Sequence, residues 1–419
     1  MEETEALSLY HRNTDITEMH GENLKVRTYF HGAMRWICFC LLFTTLKLTA
    51  NDSVVMRQLL QRVAQLQPKQ GGVFPKGSIP SYRLYALNKD RLKADVNAFF
   101  TGLVVFTLKD IKRELPVDQQ RIANGIIADA LPVFDKFKSR KGRSTYNFWP
   151  TDTPRIFPNS GWLNLFDKSQ QLPDDLDDTV IMLLAENADS STAKAVHELM
   201  QGYINNPSKK VHNTFKDYRG IGAYSTWFGQ KMPVDFDICV LSNVLYFVQA
   251  YNLRWTAADS ASLVLIEKIL ADRKHVSAAG YVSPHYSKLP NILYHLSRLM
   301  ALKPIPSLER FRPQLIEDAK NALLNADTFM DEVILSTALL RWGVDPPALK
   351  PRMANSLQEL VEEEKFSFFI ANMAAMLPDP LKQWMGGAGV GKFYYFAPAY
   401  NNVLLLENLV WRQRRGLSL

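Results

Sequence analysis

The chain has 419 residues, 47% of them hydrophobic and 11% aromatic, with a net charge of +7 and three cysteines. That is enough apolar material for one large domain or two smaller ones. The basic excess is spread along the chain without a Lys/Arg block interleaved with aromatics, which speaks against a nucleic-acid partner, and no CxxC pair or Cys/His spacing suits a zinc site.

A mild positive bias suits an anionic small molecule or peripheral contact with an anionic membrane surface. Residues 1–33 are polar and unpatterned. The stretch MRWICFCLLFTTLKLTAND (Met34–Asp52) then reads as a signal peptide. Met34-Arg35 is its basic start, Trp36–Leu46 an apolar core too short to span a bilayer, and Leu48-Thr49-Ala50 a cleavage site. Residues 1–50 are therefore expected to stand outside the fold, with 51–419 forming one domain. If 34–50 is cleaved the protein is periplasmic or secreted; otherwise it is cytoplasmic.

From Leu92 onward the pattern is helical and strand-like alternation is scarce. Pro116 separates two amphipathic stretches, Leu92–Leu115 and Val117–Ser139. Four pairs follow: Asp177–Ala188 with Thr192–Ile204, Val234–Tyr251 with Ala257–Asp272, Asn291–Leu302 with Leu308–Asn325, and Met330–Trp342 with Ala348–Glu364. A last helix covers about Ala399–Arg414. The helix starts share a grammar. LPDDLDDTVIMLL, MPVDFDICVLSNVLYF, LPNILYHLSRL and APAYNNVLLLENL each place a proline, then polar residues, then an apolar run. Pro173, Pro233, Pro290 and Pro398 are separated by 60, 57 and 108 residues, the last interval being two units of 54. The missing start falls near Asp327–Leu340. Helical hairpins recurring at this period predict an all-α (α/α)6 barrel, a toroid with the more apolar helix of each pair inside. An open solenoid of the same hairpins is the alternative.

In a toroid the inner helices all start at one end, so the loops preceding them meet around one mouth. Those loops are aromatic: Tyr146–Trp162, Tyr218–Gly229, Gly280–Tyr286 and Gly391–Phe396. The expected pocket wall is Trp149, Tyr224, Trp227, Phe228, Tyr281, His285, Tyr286, Tyr394 and Tyr395, with an aspartate cluster at its end. Arg219, Lys231, Lys288 and Lys392 lie in the same loops, where a diphosphate would need cations. GGAGVGK (Gly386–Lys392) resembles a phosphate loop only superficially, because no strand pattern precedes it and no Ser/Thr follows.

The cluster is Asp174, Asp175, Asp177 and Asp178, four carboxyls in five positions. Helix capping explains one or two of them. A DDxxD reading would give Asp174, Asp175 and Asp178 to magnesium and a diphosphate, but Pro173 sets the motif at a helix start instead of inside one. Calcium would also find hard oxygen ligands here. An acid is the third reading: crowded, buried carboxyls raise one another's pKa, so one stays protonated near neutrality.

Asp175-Leu176-Asp177-Asp178-Thr179 fits DxDD followed by Thr. With the apolar run after it, DLDDTVIMLLAE resembles the motif of class II terpene cyclases, the family of squalene-hopene cyclase. The resemblance covers this motif and one barrel's length of chain. It implies a DxDD at the start of an inner helix of an αα-barrel. It implies Asp177 as the proton donor to an alkene of a linear isoprenoid, with Asp175 and Asp178 supporting it. Aromatic walls would stabilise carbocations. The activity would be that of an isomerase or lyase, without a required cofactor; magnesium would enter only with a diphosphate substrate. A second class is an exported αα-toroid that binds or processes glycans, using Asp177 with Asp235 or Asp237 as a carboxylate pair.

Overall fold

The computed structural model describes residues 52–152, 172–229, 232–349 and 356–418. The signal-peptide reading of 34–50, the Thr153–Trp162 part of the first rim loop, and Lys231 lie outside them. The described residues belong to one compact unit, and it is mostly helical. No helix in it is long and apolar enough to cross a membrane.

Six helices are buried around nearly their whole circumference, as their apolar sequences require. They are α2 (Phe99–Ile111), α4 (Leu176–Glu186), α6 (Ile238–Ala250), α8 (Leu289–Leu302), α10 (Phe329–Arg341) and α11 (Pro398–Arg414). Each packs on the next, and α11 packs back on α2. The other helices longer than two turns are α1 (Asp52–Leu66), α3 (Val117–Ala130), α5 (Ser190–Met200), α7 (Ala257–Ala271) and α9 (Arg312–Leu324). They bury one stripe only: α9, for example, buries Leu315, Asp318 and Ala319. Neighbouring helices approach closely where a side chain is missing. A Cβ on Gly102 of α2 would sit 2.7 Å from Met182 Sδ and 3.2 Å from Ile181 Cγ2 of α4.

The predicted helices are found with shifted ends, and three expectations need correction. Leu92–Ala94 is not helical. It belongs to a four-stranded antiparallel sheet, order β2-β1-β4-β3, built from β1 (Tyr82–Tyr85), β2 (Asn88–Ala94), β3 (Phe369–Asn372) and β4 (Lys392–Phe396). The rim segment Gly391–Phe396 is therefore largely strand, its backbone paired on both sides, not an irregular loop. In Ala348–Glu364 the described helix is a single turn, Leu357–Val361. Helix α1 adds to the predicted set. Its Val55, Met56, Leu59, Leu60 and Val63 are buried, and it packs on α11 and α3. The chain's first described helix thus lies against its last.

Candidate active site

The starts of α4 and α6 look alike in sequence, PDDLDD and PVDFDI, yet they fold two residues out of step. In α4 the N-cap is Asp175, whose Oδ1 accepts from the Asp177 and Asp178 amides at 2.7 and 3.0 Å. In α6 it is Asp237, accepting from Cys239 and Val240 at 2.8 and 3.3 Å. Asp177 and Asp178 are consequently inside the first turn of α4, while their sequence counterparts in α6 are the cap itself and an isoleucine.

Backbone pairing fixes this turn in space. The Asp175 amide donates to the Tyr146 carbonyl at 2.9 Å, Leu176 to Thr226 at 2.9 Å, and Phe228 to Asp174 at 3.0 Å. Segments preceding three successive repeats are thereby zipped side by side. Thr179 closes the arrangement: its hydroxyl donates to the Asp175 carbonyl at 2.6 Å and accepts from the Tyr146 amide at 2.9 Å.

A cavity of about 290 Å³ opens at this end of the helices. Asp175, Asp177 and Asp178 line it together with Phe99, Phe148, Trp227, Phe369 and His285; Met232, Met373 and Met376 add soft, polarizable surface. Phe369 stacks on Phe148 with centroids 5.4 Å apart and is tilted on Phe99 at 5.0 Å. Strand β3 carries Phe369, Ala371 and Asn372 into the lining, so the sheet walls the cavity.

The expected aromatic wall is present only in alternate members, because extended backbone sends neighbours to opposite sides. Trp227 and His285 face the cavity. Phe228 instead packs edge-on to Tyr203 at 5.2 Å, and Trp149 donates to Asp95 at 3.0 Å. Tyr286 is fully buried behind the acids, its hydroxyl donating to Asp177 Oδ2. Tyr224 bonds Asp259 at 2.9 Å, Tyr281 donates to Asp379, and Tyr394 and Tyr395 pair with β1 and β3. None of these seven is among the lining residues. Phe99, Phe148 and Phe369 take their place. Phe148 precedes Trp149 directly, and the alternation of extended backbone is the signal that separates them.

Asp235 and Asp237 are buried beside the cavity, not in its lining. Asp237 also accepts from the Ser283 hydroxyl at 2.8 Å and the His285 amide at 2.9 Å. Asp235 accepts from Asn213 at 2.7 Å and pairs with His285 Nε2 at 2.9 Å. Both carboxylates are spent on architecture. Asp174 likewise turns away, accepting from the Thr145 hydroxyl at 2.7 Å. Asp174, Asp175 and Asp178 thus face a threonine, a helix start and the cavity respectively, which does not fit a DDxxD metal site.

Electrostatics separates the three lining carboxyls. Burial first, then the Asp177 charge, raises Asp175 to about 7. Burial raises Asp177 as well, but hydrogen bonds from Tyr286 and Asn243 hold it to about 6. Asp178 is driven well above the carboxylate range by burial and then by Asp175 and Asp177. Burial alone would lower His285; the Asp235 hydrogen bond and the charges of Asp235, Asp237 and Asp175 more than offset it and raise the imidazole to about 9.

A folded pKa near 9, against about 6.5 unfolded, means that the His285 ion pair stabilises fully below pH ~6.5 and that this stability is lost as pH rises through about 9. The melting temperature of the wild type is expected to fall between pH 7 and pH 9.5 by several degrees more than that of His285→Gln, which keeps a donor for Asp235. Parallel slopes in differential scanning calorimetry would refute the ion pair.

No family model, no curated protein and no solved structure matches this chain, so the reading of the site rests on its own geometry.

Proposed function

We propose that the protein is an acid-initiated isoprenoid cyclase, resembling class II terpene cyclases, built on an (α/α)6 toroid. One observation carries it: an aromatic and methionine-walled cavity ends in three carboxyls, one of which, Asp178, is buried with an Oδ1 that has no hydrogen-bond partner among the described residues and is pushed well above the usual carboxylate range by burial. Protonation of an alkene needs a strong donor kept neutral until it acts. The cation that forms needs electron-rich faces and no water. Phe99, Phe148, Trp227 and Phe369 present such faces to the cavity that the acids reach. The toroid is supported by the cycle of contacts among α2, α4, α6, α8, α10 and α11. It is supported also by residues near the starts of α2, α4 and α6 meeting in one cavity.

The chemistry assigns roles to this chain's own residues. The aspartates deliver the proton. The rings orient a folded hydrocarbon and stabilise positive charge along it. Removal of a proton from the last cation ends the reaction, so the net change is an isomerisation. Magnesium is not required by these steps. A glycan-processing role finds less support, since Asp235 and Asp237 are committed to His285 and to the start of α6.

Two further features belong to the proposal. The segment 34–50 directs export. An anionic membrane is a peripheral partner: Leu381, Trp384 and Met385 project from one helical turn as exposed apolar residues, and Leu87 and Val390 lie exposed on the adjoining hairpins.

The test is incubation of the protein with squalene, oxidosqualene, farnesyl diphosphate and geranylgeranyl diphosphate, with and without EDTA, followed by mass spectrometry of the products. Cyclic isomers that form regardless of EDTA are expected. No turnover of any of the four would sink the proposal.

A further inference from the structure

The DxDD resemblance assigns the proton to the middle carboxyl, Asp177. The hydrogen bonds around the three acids point elsewhere. Asp177 receives a donor on each oxygen. Asn243 Nδ2 donates to Oδ1 at 2.6 Å, and the Tyr286 hydroxyl donates to Oδ2. Neither donor is free to turn round. Arg298 Nη2 donates to Asn243 Oδ1, which fixes the amide with its NH2 end toward Asp177. Tyr286 Oη has no other acceptor among the described residues. A carboxyl enclosed by two oriented donors is stabilised as the anion.

Asp175 Oδ1 accepts two backbone N–H bonds as the helix cap, which favour the charged form and oppose the burial and the Asp177 charge that raise this carboxyl to about 7. Asp178 is the opposite case. It is 1% exposed, lines the cavity, and has an Oδ1 without any hydrogen-bond partner among the described residues. A buried carboxylate with no donor is the costliest species in the cluster, and a neutral carboxyl is what such a place accommodates.

Resting on the acid reading, we infer that Asp178 carries the proton that starts the reaction, and that Asp177 is a fixed anion positioned beside it by Asn243, Tyr286 and Arg298. In the step, the Asp178 O–H bond breaks and its electron pair stays on the carboxylate. The alkene π pair forms the new C–H bond at the less substituted carbon, leaving the cation at the more substituted one. The resulting Asp178 anion lies among the Asp175 and Asp177 charges, is strongly basic, and regains a proton when the terminal cation is deprotonated. Asp177 adds a permanent negative field toward the nascent cation.

Infrared difference spectroscopy of the full chain in H2O and D2O at neutral pH reads the protonated carboxyl directly, through its deuterium-sensitive C=O stretch, and needs no substrate. The expected result is a band that is present in wild type, lost in Asp178→Asn, and retained in Asp177→Asn. A band lost in Asp177→Asn and retained in Asp178→Asn, or lost in both, would overturn the assignment. If Asp178→Asn fails to fold, Asn243→Ala serves. Removing one donor from Asp177 should bring a second protonated carboxyl into the spectrum at neutral pH, and an unchanged spectrum would overturn the inference. A protein that shows the expected bands yet converts none of the four isoprenoids keeps this proton assignment and loses the cyclase reading.

Discussion

Turnover by Asp178→Asn is expected to fall by about three orders of magnitude or more, a loss of the size found when a proton donor with no substitute is removed. The melting temperature should stay close to that of wild type, because an uncharged carboxamide replaces a carboxyl that is already held neutral by burial and by the Asp175 and Asp177 charges. Asp177→Asn should behave differently. A carboxamide has one acceptor oxygen where the carboxylate had two, so its NH2 must face either Asn243 Nδ2 or Tyr286 Oη, both oriented donors. Leaving a buried donor unsatisfied costs about 1–3 kcal/mol. Asp177→Asn should therefore lose stability and about a hundredfold in rate constant, the latter set by the lost negative field. Product formation under single-turnover conditions, beside urea denaturation of each variant, separates the two outcomes. Equal rate losses with equal stabilities would contradict this division of labour.

Glu407→Ala should cost the fold about 3–5 kcal/mol, the usual penalty for stripping one partner from a buried ion pair. Glu407 on α11 accepts from Tyr294 Oη of α8 at 2.6 Å and from Arg341 Nη2 of α10. Both charged side chains are 2% exposed. Arg341 also lies over the Tyr294 ring at 4.5 Å and donates to the Tyr294 carbonyl at 3.3 Å. One carboxylate thus ties three consecutive buried helices, and its removal leaves a guanidinium and a phenol with no anion between them. Glu407→Gln, which keeps an acceptor, should lose less. Urea denaturation followed by circular dichroism measures both, and a loss below about 1 kcal/mol for Glu407→Ala would show that water reaches the pair.

The helical core was legible because it obeys one rule repeatedly. Proline, polar residues and an apolar run mark α4, α6, α8 and α11, and all four helices begin within a few residues of that signal. The aspartate cluster was legible for a related reason, since four carboxyls exceed what one helix start can use. What the sequence hid depends on contacts far along the chain. Strands β1 and β4 are short and lie more than 300 residues apart, so neither carries a pattern that its own neighbourhood explains. Asn243 and Arg298 look like ordinary polar residues of two buried helices, and only the packing of α4, α6 and α8 brings them to Asp177. The choice between Trp149 and Phe148, or between Phe228 and Trp227, needed the direction of an extended segment and not the identity of the residue.

The lateral contact between α1 and α11 bears on how the protein is made. Helix α11 also packs on α2, and the ion pairs Arg62–Glu362 and Arg414–Glu114 each join residues 300 positions apart. The cycle of helix contacts from α2 round to α11 is incomplete until α11 has been synthesised. Loop closure over that distance is slow, and contacts of this range are rewarded only when both ends are present. Nascent chains should therefore remain protease-sensitive until α11 has emerged.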